Sequence, residues 1–486
     1  MNRREALQAI AACVGPQGVV DIAADGERYL IDHRRQYQGQ AAMIVRPPDA
    51  PSVAEVVRLA AASKLVVVPQ GGNTGYCGGA TPGIDHKASG ERTILLSLER
   101  LRRIRQVDAV GYSMTVEAGV VLAAVQAAAS REGMLFPLSL GSQGSCQIGG
   151  NLATNAGGTA VLRYGNAREL VLGLEVVLAD GSLWNGLRAL RKDNAGYDLK
   201  QLFLGAEGTL GIITAAVLKL FPAPRERATA LVAITDVDAA CQLLSLARRE
   251  SADAVSSFEY LPRFALELVA QHIEGGSNPL SEPSYEHYLL VELSSAAADA
   301  RLEGRLEHLL AKGHARGWVQ DAVVAQTEAQ RERLWRLREN VPEAQRLAGG
   351  SYKHDVSVPV PALAAFLARG LDGAAKAAPD ARPCAYGHIG DGNLHFNFLA
   401  PRGERLGNYF QGDRGAKVSA AVLDAAAAHG GSVCAEHGVG YLKRPLIAGY
   451  RDALSVELMR RVKGALDPEG TLNPYKVIPD DAEAQR

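Results

Sequence analysis

The sequence predicts an α+β protein of more than one domain, on three observations. Short apolar runs of strand length alternate with helical periodicity throughout the 486 residues. The pattern breaks at Pro222-Ala223-Pro224, and beyond it the strands are spaced as for an antiparallel sheet covered by helices. Glycine crowds between the apolar runs at 71–83, 141–165, 205–211, 387–392 and 430–440, as it does where backbone is held close to something.

The elements follow in chain order. Residues 6–14 form a first helix; Arg3 and Arg4 ahead of this apolar run faintly mimic a secretion signal, but Glu5 intervenes and no small-x-small cleavage site follows. Residues 52–62 read as a helix opened by a Ser52 cap, feeding a buried strand at 65–69 that breaks into Gln70-Gly71-Gly72-Asn73-Thr74-Gly75. Strands are predicted at 93–96, 114–117, 170–178 and 211–220. After the proline breaker come a strand at 229–235, a helix at 237–250, strands at 288–294 and 322–325, and a charged helix at 328–347. A strand at 351–358, a helix at 364–375, two strands around a glycine loop at 384–398, and a helical tail at 419–429 and 455–466 complete the chain. The expected domains are 1–223, 224–430 and a C-terminal segment 431–486, with no repeat of solenoid period.

Composition narrows the function classes. Lys+Arg 52 against Asp+Glu 53 gives a net charge of −1, so whole-chain electrostatics favours neither nucleic acid nor anionic membrane. Residues 133–162 carry no charge but are too rich in Gly, Ser, Asn and Gln to cross hydrocarbon, and no membrane span is expected. The six cysteines are far apart, with no C-x-x-C pair, which predicts a reduced, cytoplasmic protein.

The glycine clusters contain neither G-x-x-x-x-G-K-S/T nor G-x-G-x-x-G, which excludes the two familiar nucleotide loops. Gly71 to Gly75 could cradle phosphate or simply turn the chain. The longer run 141–158 has almost no side-chain bulk and suits backbone lying along an extended ligand. In Tyr386-Gly387-His388-Ile389-Gly390-Asp391-Gly392-Asn393-Leu394-His395-Phe396-Asn397-Phe398, period two puts His395 and Asn397 on one face. Two imidazoles across such a hairpin could clasp a divalent ion if a carboxylate joined them, and Glu436 in Ala435-Glu436-His437-Gly438-Val439-Gly440 is the candidate. Histidines hydrogen-bonded in place would give the same pattern. Lys353, Asp355 and Ser357 share one strand face by the same period, while Arg338 sits in a helix whose Arg and Glu content reads as a solvated face.

Together these stretches, with Arg163-Tyr164-Gly165, Arg191-Lys192-Asp193-Asn194-Ala195-Gly196-Tyr197-Asp198-Leu199-Lys200, Gly205-Ala206-Glu207-Gly208-Thr209-Leu210-Gly211 and Leu472-Asn473-Pro474-Tyr475-Lys476, resemble the FAD-linked D-2-hydroxyacid dehydrogenases of the vanillyl-alcohol oxidase fold. The likeness runs over nearly the whole chain and is nearest to the members acting on D-2-hydroxyglutarate. It implies a PCMH-type FAD-binding domain of two α+β subdomains over 1–223, a substrate domain over 224–430, and a C-terminal segment returning to the flavin. FAD is then expected along Pro69, Gly71, Gly72, Asn73, Thr74 and Gly75, along Gly141, Ser145, Gly149, Gly150, Asn151, Thr154, Asn155 and Gly158, and at Glu207, Gly211, Ile213 and Asn473. Asn73 and Thr74 stand where covalent relatives carry a histidine, so the flavin is expected to be non-covalent.

The same resemblance makes His388, His395 and Glu436 ligands of zinc or a similar divalent ion, His437 the general base, and Arg338, Lys353 and Asn397 the substrate contacts. The implied reaction is oxidation of D-2-hydroxyglutarate to 2-oxoglutarate with electrons passed to an electron-transfer flavoprotein or a quinone. Pro342 stands where the family carries a hydroxyl one helical turn after the arginine, which leaves D-malate, D-lactate or glycolate as alternative substrates. A flavin-binding subunit of a larger complex and a homodimer also stay open.

Overall fold

The computed structural model describes residues 1–85, 90–281 and 284–480. They fall into two compact units, one of residues 1–157, 165–223 and 436 onward, the other of 158–164 and 224–435.

The first unit carries two principal sheets. In the smaller, Met43–Val45 and Val66–Gln70 lie parallel to Thr93–Ser97 on either side of it, and Val19–Val20 is added antiparallel at the edge. The helices Arg3–Val14 and Ala50–Ala62 bury Ala6, Ile10, Val53, Val56 and Val57 in one core with Val67, Ile94 and Leu96 from the strands. Glu5, which spoils a signal-like reading of the N-terminus, closes a capping box with Asn2 and so starts the first helix. The larger sheet is antiparallel, in the order Ile104–Asp108, Ser113–Glu117, Ile212–Lys219, Val171–Val177, Leu183–Gly186. The C-terminal segment joins the smaller sheet: Val67 N–H donates to Thr471 O at 2.7 Å and Asn473 N–H to Val67 O at 2.8 Å.

The second unit holds a four-stranded antiparallel sheet, Val255–Pro262, His287–Ser295, Glu226–Ile234 and Val319–Val324, and a three-stranded one, Asp355–Ser357, Asn393–Leu399 and Arg382–Tyr386. The Val255–Pro262 strand escapes the sequence pattern because seven of its eight residues are buried, so no polar face alternates with an apolar one. The long helix expected over 328–347 is two helices, Glu328–Glu339 and Val341–Leu347, with Pro342 in the first turn of the second. Proline cannot donate to the preceding turn but is well suited to a helix start, which fixes the break at Asn340. The strand expected over 351–358 shortens to Asp355–Ser357.

Candidate functional site

In the first unit the glycine clusters converge on one cleft. It is lined by Pro69, Gly71, Gly72, Asn73, Thr74 and Gly75, by Gly149, Gly150, Asn151 and Thr154, and by Glu207, Gly211 and Ile213. Cys77, Cys146 and His437 line it as well. Gly141 and Ser145 lie outside this lining, exposed on the turn before it. Asn155 is taken up by the backbone, its Oδ1 accepting from Arg168 N–H at 2.9 Å, and Gly158 belongs to the second unit. Nor is the stretch 141–158 extended throughout, since Ile148–Ala153 coils into a short helix.

Backbone builds this cleft. A Cβ on Gly72 would stand 2.3 Å from Ser145 O, and one on Gly208 2.4 Å from Pro69 Cγ, so both positions admit only glycine. Gly75 and Gly150 face open space instead. Asn73, Glu207 and Asn473 all hold positive φ, at 52°, 51° and 39°. Each is fixed by hydrogen bonds. Asn73 Nδ2 donates to Arg28 O and Ile31 O at 3.1 and 2.8 Å. Glu207 accepts from Val439 N–H at 2.7 Å and Gly440 N–H at 2.9 Å. Asn473 Nδ2 donates to Gly79 O and Glu207 O at 3.0 and 2.7 Å. Strained backbone so firmly over-determined is characteristic of ligand clamps. Burial pushes the Glu207 carboxyl up, opposed by those two N–H donors. Gln147 Oε1 and Asn151 Oδ1 are buried at the cleft with no hydrogen-bond partner among the described residues, as acceptors for a polar ligand would be. A cleft of unhindered backbone with unused buried acceptors fits a dinucleotide-sized cofactor such as FAD.

The second unit gathers charge instead. Arg338, expected on a solvated face, is buried at 6% exposure, because its Nε donates to Glu259 Oε2 at 2.7 Å and its guanidinium lies 5.0 Å from the Tyr386 ring centroid. The other oxygen of Glu259 meets His388 Nδ1 at 2.7 Å. Burial alone would raise the Glu259 carboxyl; its facing partners His388 and Arg338 outweigh it and hold the group down at about 2. His388 and His395 face each other across the hairpin with ring centroids 5.4 Å apart, and Asp355 Oδ1 lies 3.7 Å from His395 Nδ1. A carboxylate on the far nitrogen of an imidazole is the arrangement metal-ligating histidines carry; His388 has it in Glu259, which suits its ring to a divalent ion, whereas Asp355 is too far from His395 for a hydrogen bond. Glu436 follows Ala435 directly in the chain, and Ala435 N–H donates to Asp355 O at 3.3 Å.

Asn397 is buried on the same strand as His395 and donates through Nδ2 to Gln345 Oε1 at 3.0 Å, while its Oδ1 has no partner among the described residues. Lys353 is exposed and lies ahead of the short strand rather than within it. His437 stacks edge-on against Tyr76, with ring centroids 4.9 Å apart. Glu259 was missed from sequence, yet a glutamate in the middle of an otherwise apolar and hydroxyl-bearing run, Val255-Ser256-Ser257-Phe258-Glu259-Tyr260-Leu261, was the available signal.

Comparison with known proteins agrees with both halves. Residues 41–186 match the FAD binding domain and residues 223–477 the C-terminal domain of FAD linked oxidases. A probable mitochondrial D-2-hydroxyglutarate dehydrogenase of Oryza sativa subsp. indica is 36% identical over 96% of this chain and 80% of its own length. The D-2-hydroxyglutarate dehydrogenase of Xanthomonas citri pv. viticola is 40% identical over 94% and 93%. A solved 4-ethylphenol oxidase from Gulosibacter chungangensis superposes with a TM-score of 0.72 over 99% of this chain and 98% of that one, at 19% identity. The cytoplasmic expectation is corrected by the same relatives, since those from rice, Arabidopsis thaliana, Bos taurus and Rattus norvegicus are named mitochondrial. Its physical basis was six cysteines too far apart for a C-x-x-C pair, and reduced thiols persist in any reducing compartment. No helix among the described residues is long and apolar enough to cross a membrane. With a backbone cradle for FAD in one unit and a buried arginine and histidine pair in the other, the chain belongs to the FAD-linked oxidases, as a flavin-dependent oxidoreductase of the vanillyl-alcohol oxidase fold.

Proposed function

We propose that this enzyme oxidises D-2-hydroxyglutarate to 2-oxoglutarate, with non-covalent FAD on the first unit and the substrate groups on the second. The observation that carries the reading is the buried Arg338, held on one carboxylate with His388: a planar cation for a carboxylate, tied through Glu259 to the histidine hairpin. The similarity to D-2-hydroxyglutarate dehydrogenases over nearly the full chain supports it.

When bound, FAD supplies a two-electron acceptor, and a zinc or similar ion on His388, His395 and Glu436 supplies a Lewis acid for the substrate oxygens. The chain's own residues do the rest. Arg338 and Lys353 hold the distal carboxylate, and Asn397 offers its amide to the substrate. His437 takes the hydroxyl proton from oxygen onto a ring nitrogen, and the hydride lost from the carbon bearing that oxygen would go to FAD as the two-electron acceptor. The electrons pass onward to a protein or quinone acceptor.

Pro342 supports a second reading, D-malate, because it removes a hydroxyl from the distal pocket and starts a new helix there. Glu259 also leaves room for a monocarboxylate such as D-lactate, since Arg338 already has a counter-charge. An anaerobic visible spectrum tests these together. Bleaching of a yellow protein by D-2-hydroxyglutarate, but not by D-malate, D-lactate or the L enantiomer, and prevented by a chelator, is the expected result. Bleaching by D-malate or D-lactate alone would overturn the assigned substrate, and bleaching indifferent to chelation would overturn the metal. Release of the flavin by acid precipitation checks that it is non-covalent.

A further inference from the structure

We propose that Glu259 is a positioning residue for the substrate side of the enzyme: its carboxylate fixes His388 in the tautomer that keeps the lone pair on Nε2, and the same carboxylate orients Arg338. The inference rests on the reading of His388 as a metal ligand and extends it to a residue outside the ligand set.

Three features carry it. First, Glu259 is 1% exposed in the middle of a strand buried on both faces, where a carboxylate is costly unless both oxygens are satisfied. Second, its two neighbours in the strand hold the histidine loop. Tyr260 and Gly387 exchange backbone hydrogen bonds at 2.8 and 3.0 Å, and Gly390 N–H donates to Phe258 O at 3.1 Å. The loop is thereby registered on the strand so that His388 Nδ1 meets Glu259 Oε1. Third, the donor chemistry leaves one arrangement. Arginine has no acceptor, so Oε2 must accept from Nε; an ionised carboxylate has no proton to give, so Nδ1 of His388 must carry one. A neutral ring protonated at Nδ1 has its lone pair at Nε2, the atom a cation would bind.

Glutamine at this position has nearly the same shape but one acceptor and one donor group. Facing a donor-only arginine, it presents its oxygen to Arg338 and its amide N–H to His388. Nδ1 must then accept, the ring proton moves to Nε2, and the lone pair is withdrawn from a metal. Aspartate keeps the acceptor-only chemistry at shorter reach.

The experiment measures Zn²⁺ affinity of full-length, FAD-loaded protein by competition with a chromophoric chelator, for wild type, Glu259→Gln, Glu259→Asp and His388→Ala. FAD content per chain is recorded as a check on folding. Glu259→Gln is expected to weaken Zn²⁺ binding roughly 10–100-fold, the usual effect of removing a partner behind a ligating histidine, and Glu259→Asp less, with FAD content unchanged in both. Wild-type affinity in Glu259→Gln, with binding lost in His388→Ala, would overturn the role of Glu259 alone. Wild-type affinity in His388→Ala would overturn the metal reading, and this inference with it. Should the Glu259 variants fail to fold, ¹⁵N spectra of the histidine rings in metal-free wild type, with His388 assigned by its absence in His388→Ala, decide the matter: a proton on Nδ1 is expected, and one on Nε2 overturns the proposal.

Discussion

The flavin cleft of the first unit and the Arg338 site of the second are made of different material. The cleft is mostly backbone: glycines, some of which admit no Cβ, and residues at positive φ whose side chains bond to main-chain groups. The second site is side chain: Glu259 between Arg338 and His388, and on the neighbouring strand Glu292, which accepts from Trp335 Nε1 at 2.7 Å and Arg331 at 3.3 Å. These two glutamates tie the Glu328–Glu339 helix to the sheet. Backbone recognises an extended ligand through many weak, geometrically fixed contacts, whereas buried charge recognises a small one through few strong ones. The two regions should therefore fail differently when a residue is changed.

The largest effect is expected where a buried charge loses its partner. Arg338→Ala leaves Glu259 with one of its two donors in a dry site, and unfolding free energy should fall by about 3–5 kcal/mol, with the KM for D-2-hydroxyglutarate rising. Replacing both partners, as in Glu259→Leu with Arg338→Met, should recover most of the stability while substrate recognition stays lost. Denaturant titration of the two variants separates the cases: equal destabilisation would mean that volume, not charge, sets the cost.

The same contrast explains what could be read from sequence. The flavin cleft was legible because backbone recognition demands glycine, and glycine is visible wherever it clusters. Strands with one solvated face were legible through their period. The Val255–Pro262 strand was not, because burial on both faces erases the period, and with it went Glu259. Arg338 looked solvated because a helix dense in Arg and Glu gives no sign of which charge meets a carboxylate from a distant strand. Pro342 did mark an interruption, but whether it ends a helix or starts one depends on the chain that follows.

A smaller effect should expose the backbone side of the comparison. At Gly72 an added methyl meets Ser145 O at 2.3 Å and Cys146 Cα at 3.1 Å, so Gly72→Ala should destabilise the FAD-free protein by about 1–3 kcal/mol. At Gly150 the methyl meets nothing within 4 Å, and in a helix alanine is preferred to glycine. Gly150→Ala should leave the melting temperature of FAD-free protein unchanged or slightly raised, yet weaken FAD binding about tenfold, equivalent to ~1.4 kcal/mol. Fluorescence titration with FAD is the check, and wild-type affinity would mean that the open space beside Gly150 is not where the flavin lies.

A further effect, read only as a slope against pH, concerns Lys476, a strongly buried cation of the flavin-side unit. Lys476 donates to Thr81 O at 3.2 Å and lies 5.1 Å from the Tyr441 ring centroid. Burial lowers its ammonium to about 7; Glu207 and Asp85 oppose the shift and Arg444 adds to it. The unfolded chain holds this proton up to its ordinary value of 10.5, so between about 7 and 10.5 the unfolded state binds more protons than the folded one. Stability must then rise with pH through that window, and the burden of the buried charge is present in full only below it. In Lys476→Met this contribution vanishes. The melting temperature of wild type relative to the variant should therefore climb as pH is raised above neutral. A difference that stays flat would mean that Lys476 keeps its charge, and that the backbone-built unit tolerates a buried cation as readily as the side-chain-built unit does when a glutamate is supplied.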